Sequence, residues 1–172
     1  MVKIASLVLG LSTVAIAGTP PASKPGAKCP AAEYRQLDFW LGDWDTFEVV
    51  GDTGTSIARA HIDLGAGGCA IHELYEQTDG LVGESISSFD PVRKMWQQTW
   101  VTNGGSLLVI AGTFKDGVMT LEGENHTAKG EKVMLRATWK KEGEGVREAA
   151  VTSKDGGKTW DPYFDVRFKK HK

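Results

Sequence analysis

Leu37-Asp38-Phe39-Trp40-Leu41-Gly42-Asp43-Trp44-Asp45 is the stretch that decides the fold. Three large aromatics crowd a Gly-x-Trp, and β-rich sequence follows at once. One or two helical turns over 31–41, ended by Gly42, predict a short plug. Trp44, on the strand that begins there, is placed to fill the floor of a closed barrel.

Downstream, strand patterns alternate with turn signals over 44–50, 55–64, 69–77, 83–90, 94–102, 106–114, 117–124, 131–140, 145–153 and 160–169. The connectors include Gly51-Asp52-Thr53-Gly54, Asp79-Gly80, Asp90-Pro91, Asn103-Gly104-Gly105, Asp116-Gly117 and Gly143-Glu144-Gly145. Gly and Asn tolerate positive φ, and Pro presets φ at a turn. Connections this short pair each strand with its sequence neighbour, antiparallel. Parallel pairing needs long crossovers, and no amphipathic helix supplies them. Closure removes the two unpaired edges of a long meander. The expectation is an all-β protein: a single up-and-down antiparallel β-barrel of about ten strands with a short N-terminal helical plug. A two-sheet sandwich is the alternative, and the local connections argue against it.

Upstream, Met1-Val2-Lys3, the apolar run 4–16 and Ala15-Ile16-Ala17 have the order of a secretory signal peptide, predicted over 1–17. Residues 18–32 carry Pro20, Pro21, Pro25 and Pro30 and read as a flexible tether. The barrel domain is predicted over 33–172. The chain is thus expected to be exported, periplasmic or secreted. Its 172 residues fit one domain, and no later segment is long and apolar enough to span a membrane. A formal charge of −2, with scattered Lys and Arg, gives no nucleic-acid footprint. Cys29 and Cys69 would sit in an oxidising compartment, where a disulfide is favoured over two free thiols.

Gly42-x-Trp44 on a first strand after a plug resembles the lipocalin and calycin superfamily. There, a basic residue near the end of the last strand packs across the Trp. The resemblance implies a closure set of Gly42, Trp44 and Arg167, with Lys169 competing for the last place. The longer pattern resembles one bacterial, often exported, calycin-like family catalogued as a domain of unknown function. Its further matches are Cys69-Ala70-Ile71-His72-Glu73, Phe89-Asp90-Pro91, 94–101 and 153–160. The resemblance implies a fold and carries no catalytic residues.

Other motifs have structural readings. Ser153-x-Asp155-x-Gly157-x-Thr159-Trp160 resembles the Asp-box of propeller glycosidases but occurs once, so it predicts a turn. His72-Glu73 lacks the second His of a zinc-protease helix, because Glu76 stands there. Gly65-Ala66-Gly67-Gly68 precedes no helix that could hold a phosphate. His61, His72, His126 and His171 show no metal-ligand spacing, so no metal site is predicted. One of them remains a candidate axial ligand for haem.

Alternation places Trp96, Gln98 and Trp100 on one strand face, and Glu73 on a face with Ile71 and Tyr75. Arg136 shares a face with Met134 and Thr138, while Val133, Leu135, Ala137 and Trp139 form the more apolar one. Aromatic walls with a few polar groups suit a small, partly hydrophobic molecule. Glu73, Trp96, Gln98, Trp100 and Arg136 are therefore the candidate ligand-binding residues. The alternatives are a haem or nitric-oxide barrel, and an enzyme using a buried Glu73 as base. Oligomeric state and ligand identity stay open.

Overall fold

The computed structural model describes residues 28–51, 53–127 and 129–172. The predicted leader and most of the tether lie outside them. Ten antiparallel strands are described: β1 (Gly42–Glu48), β2 (Ala58–Gly65), β3 (Ala70–Gln77), β4 (Val82–Asp90), β5 (Met95–Thr102), β6 (Leu107–Lys115), β7 (Val118–His126), β8 (Lys132–Glu142), β9 (Gly145–Ser153) and β10 (Asp161–Lys170). Each pairs with the next, and β10 returns to β1, closing the barrel. The sandwich is excluded. Closure leaves no row of unpaired backbone groups along a strand edge.

Period-2 alternation decides which side chains enter the interior. On β2, Ala58, Ala60 and Ile62 are buried while Arg59, His61 and Asp63 face out. On β8, Val133, Leu135, Ala137 and Trp139 turn inward. The plug is two 3-10 turns, Ala32–Arg35 and Asp38–Trp40, and it covers the end where β1 begins. We call that end the floor and the opposite end the mouth.

The floor is aromatic and sealed. Trp40, Trp44, Trp96, Trp139 and Phe168 are at most 2 % exposed. Trp40 meets Phe168 edge-on at 6.0 Å and Trp139 at 5.9 Å. Trp44 meets Phe168 edge-on at 6.4 Å, and its indole N–H donates to the Trp40 carbonyl at 2.8 Å. Each such burial contributes roughly 1.5–3 kcal/mol. Gly42 enters β1 at φ 133°, where a side chain is strained.

The cation over Trp44 is Lys170, correcting the expectation of Arg167 or Lys169. Lys170 Nζ lies 3.8 Å from the Trp44 ring centroid and donates to the Leu41 carbonyl at 3.0 Å. Parity is the reason. Phe168 points inward, so Arg167 and Lys169 point outward, while the β1–β10 register sets Lys170 opposite Trp44. Arg167 pairs with Glu142 at 2.7 Å, and Lys169 lies over Phe47 at 4.0 Å.

Cys29 and Cys69 form a disulfide across a sequence separation of 40. It ties the chain before the plug to the Ala66–Gly68 turn between β2 and β3, where Arg35 also donates to the Gly68 carbonyl.

Candidate functional site

The interior changes character from floor to mouth. Floor positions are closed off, with Ile62, Ile71, Met119 and Val146 at most 2 % exposed. Inward-facing residues nearer the mouth are only half-buried: Tyr75, Trp100, Leu108 and Glu148. Phe164, which pairs with the inward Ala150 near the rim, is 37 % exposed. Inward positions in the mouth half, the cup, are therefore more accessible than those of the packed floor.

Glu73 stands at the boundary, 5 % exposed on the inner face of β3. The register sets it opposite Ser85, and Ser87 opposite Gln98. Ser85 Oγ donates to Glu73 Oε2 at 2.8 Å. Gln98 Nε2 donates to Ser87 Oγ at 3.1 Å and to Ser85 Oγ at 3.4 Å. The wall beside them is thin. Trp100 lies so close over Gly83 that an added Cβ would sit 2.1 Å from its ring. Tyr75 meets Trp100 edge-on at 6.2 Å.

Glu148 projects inward from β9, and the Glu73 carboxyl makes it harder to ionise. It is partly exposed on the inner face of β9. Burial pushes the Glu73 carboxyl up to about 7, against the opposing pull of the Ser85 hydroxyl and of His72 outside the wall. Burial first, then Glu73, pushes Glu148 well above the carboxylate range, and the Trp139 indole opposes this. Trp139 Nε1 makes no hydrogen bond of ordinary geometry, so we read that opposition as proximity alone. The Tyr75 phenol is raised by burial and then by Glu148 and Glu73. Among the described residues, lumen-facing strand positions above the floor carry no Lys, Arg or His.

The predicted site residues divide. Glu73, Gln98 and Trp100 come together in the cup. Trp96 sits in the sealed floor, its indole N–H donating to Gln36 Oε1 of the plug at 2.9 Å. Arg136 is on the outer face of β8, paired with Glu122 at 2.6 Å and 4.0 Å over the Trp160 ring. It cannot join an interior site, because Leu135 and Ala137 hold the inward positions. Sequence reasoning missed Glu148, Ser85 and Ser87. Glu148 was findable, because it shares a strand face with Val146 and Ala150.

The histidines lie outside the lumen. His61 pairs with Asp43, His72 with Asp63 and Glu84, His126 with Glu124, and His171 with Asp45. A haem held in the barrel by a histidine finds no ligand among them. No group of three or more His, Cys, Asp or Glu among the described residues is placed to hold a metal. Asp155 caps the β9–β10 turn as expected, accepting from the Lys158 and Thr159 amides at 2.9 Å each. A cleft of about 360 Å³ opens beside the plug at Tyr34, Phe89, Trp96 and Phe114, and one of about 240 Å³ lies outside β4 and β5. Neither is lined by Glu73.

Fold and site together define a closed ten-stranded barrel with a sealed aromatic floor and an acidic cup. Neither a protein-family model nor a curated protein sequence matches the chain.

Proposed function

We propose that this chain is an exported binding protein that holds a small, partly hydrophobic molecule in the mouth half of its barrel. The contrast in exposure between floor and mouth carries the reading. Aromatic and aliphatic side chains face an open space that the fold does not fill, and an acid–hydroxyl–amide network borders it. Apolar area supplies affinity in such a cup, and a few polar groups supply orientation. The disulfide and the signal-like first 17 residues support export. The resemblance to exported calycin-like proteins supports both.

Native mass spectrometry of protein purified from its own organism tests the reading. A stoichiometric small molecule that dissociates from the folded chain is the expected result. A bare chain, with Trp100 emission indifferent to added hydrophobic probes, sinks it.

A second reading, proton transfer to or from a bound substrate, is favoured by one observation. Glu73 is a buried carboxyl shifted to about 7 and has no Arg partner. Turnover of an ester or carbon-acid panel should then be lost in Glu73→Gln. Turnover retained by that variant removes Glu73 as the base.

A further inference from the structure

Resting on that binding reading, we propose that the cup is selective for an organic monocation, a protonated amine carried on an aromatic or aliphatic body. Three features support this, each in a different way.

The first is a pair of inward carboxyls with no basic partner. Glu73 on β3 and Glu148 on β9 both project into the lumen, and lumen-facing strand positions above the floor offer no Lys, Arg or His to either. A structural ion pair would supply such a partner, as Arg147 does for Asp165 on the outer wall at 2.8 Å. The inner pair has a single described hydroxyl on one carboxyl. An ammonium within hydrogen-bond reach of either carboxyl would supply its missing counter-charge.

The second is Thr46. It stands on the inner face of β1, the middle strand of the run β9, β10, β1, β2, β3 that joins the two carboxyls. Its residue is wholly buried and its hydroxyl has no hydrogen-bond partner. Buried polar groups are normally satisfied, so an orphan hydroxyl on the inner strand face leaves one hydrogen bond for a group from outside the chain. An N–H of the ligand is such a donor.

The third is the aromatic lining. Tyr75 and Trp100, on the inner faces of β3 and β5, meet edge-on at 6.2 Å. Ring faces attract cations, most strongly where water is excluded.

The chemistry of association follows. At neutral pH the pair carries protons because burial disfavours two ionised carboxyls. A bound ammonium reverses that preference, so a carboxyl ionises and its proton passes to buffer. Cation binding is thus accompanied by proton release, and binding of a neutral analogue is not.

Isothermal titration calorimetry with three matched probes tests this: 1-naphthylmethylamine, 1-naphthalenemethanol and 1-naphthylacetate, at about pH 7 in two buffers of different ionisation enthalpy. The amine should bind at least about tenfold tighter than the alcohol, equivalent to roughly 1.4 kcal/mol. The acetate should bind weakest. Only the amine should show buffer-dependent heat, reporting proton release. Glu73→Gln and Glu148→Gln should each lower amine affinity by a larger factor than alcohol affinity. Equal affinity for amine and alcohol, or amine binding without proton release, overturns the cation selectivity and leaves the cup intact. Absence of binding by all three overturns the cup as well. The proton count comes from the unaltered protein, so the test survives a variant that fails to fold.

Discussion

Lys170 holds its ammonium 3.8 Å from the centre of the Trp44 ring, joining the last strand to the first at the barrel floor. The contact closes the seam where β10 meets β1, and a hydrogen bond to the Leu41 carbonyl anchors it to the plug. Cation–π contacts at exposed sites contribute about 0.5–1 kcal/mol. Lys170→Ala should therefore destabilise by about 1 kcal/mol and shift Trp44 emission. Arg167→Ala, which breaks only an outer ion pair, should cost less and leave emission unchanged. Chemical denaturation followed by fluorescence compares the two, and equal costs would remove the assignment.

Stability should fall as pH rises through neutrality. Glu73 is raised to about 7 and Glu148 is raised as well, so the folded chain holds protons that the unfolded chain has lost. The Glu73 part of this stability declines from about pH 4.5 to pH 7, at about 1.4 kcal/mol per unit, and Glu148 acts in the same direction. His72 is also raised, and its contribution is likewise lost with rising pH. The difference between wild type and Glu73→Gln separates the two effects. The variant should match wild type near pH 4.5 and be more stable by a few kcal/mol near pH 8. Parallel melting curves across that range would count against a proton held in the cup.

Reduction of the disulfide should release the plug. Closing a loop with a separation of 40 contributes about 4 kcal/mol in the chain-entropy account. Cys29→Ser should lower the melting temperature, and amide exchange should quicken at the Lys28 amide, which donates to the Gly67 carbonyl at 3.4 Å. Faster exchange spread evenly over all strands would contradict a local staple.

Gly83→Ala should displace Trp100. An added Cβ meets the ring at 2.1 Å, so the indole must leave the wall, at about 1–3 kcal/mol. Gly104→Ala, whose nearest neighbour is Thr102 Oγ1 at 3.6 Å, should be nearly neutral. Tryptophan near-ultraviolet dichroism reads the displacement directly.

The barrel was legible because its signals are local. Alternation fixed β2, β8 and β9, and turn chemistry such as Gly143-Glu144-Gly145 fixed the join of β8 to β9. Each predicted strand overlaps an observed one. The site was half legible. Glu73 and Gln98 follow from parity, but β4 runs against the usual pattern: Ser85 and Ser87 face inward while Ile86 is 49 % exposed outside. Hydroxyls inside and a branched aliphatic outside read as an ordinary surface strand turned the wrong way round. The inward face of Glu148 was legible from Val146 and Ala150, but its relation to Glu73 needed closure, which is set only once ten registers are fixed. The assignment of Arg167 failed by one residue, since a step along a strand exchanges inside for outside.

The described chain starts and finishes on the same side. Cys29 is bonded at the corner between β2 and β3, and β10 runs down from the mouth to end at Lys170. Anything fused or immobilised through the C-terminus at Lys172 therefore attaches behind the floor. The opening faces away from the support, and the protein is already oriented as a surface-mounted sensor would need it.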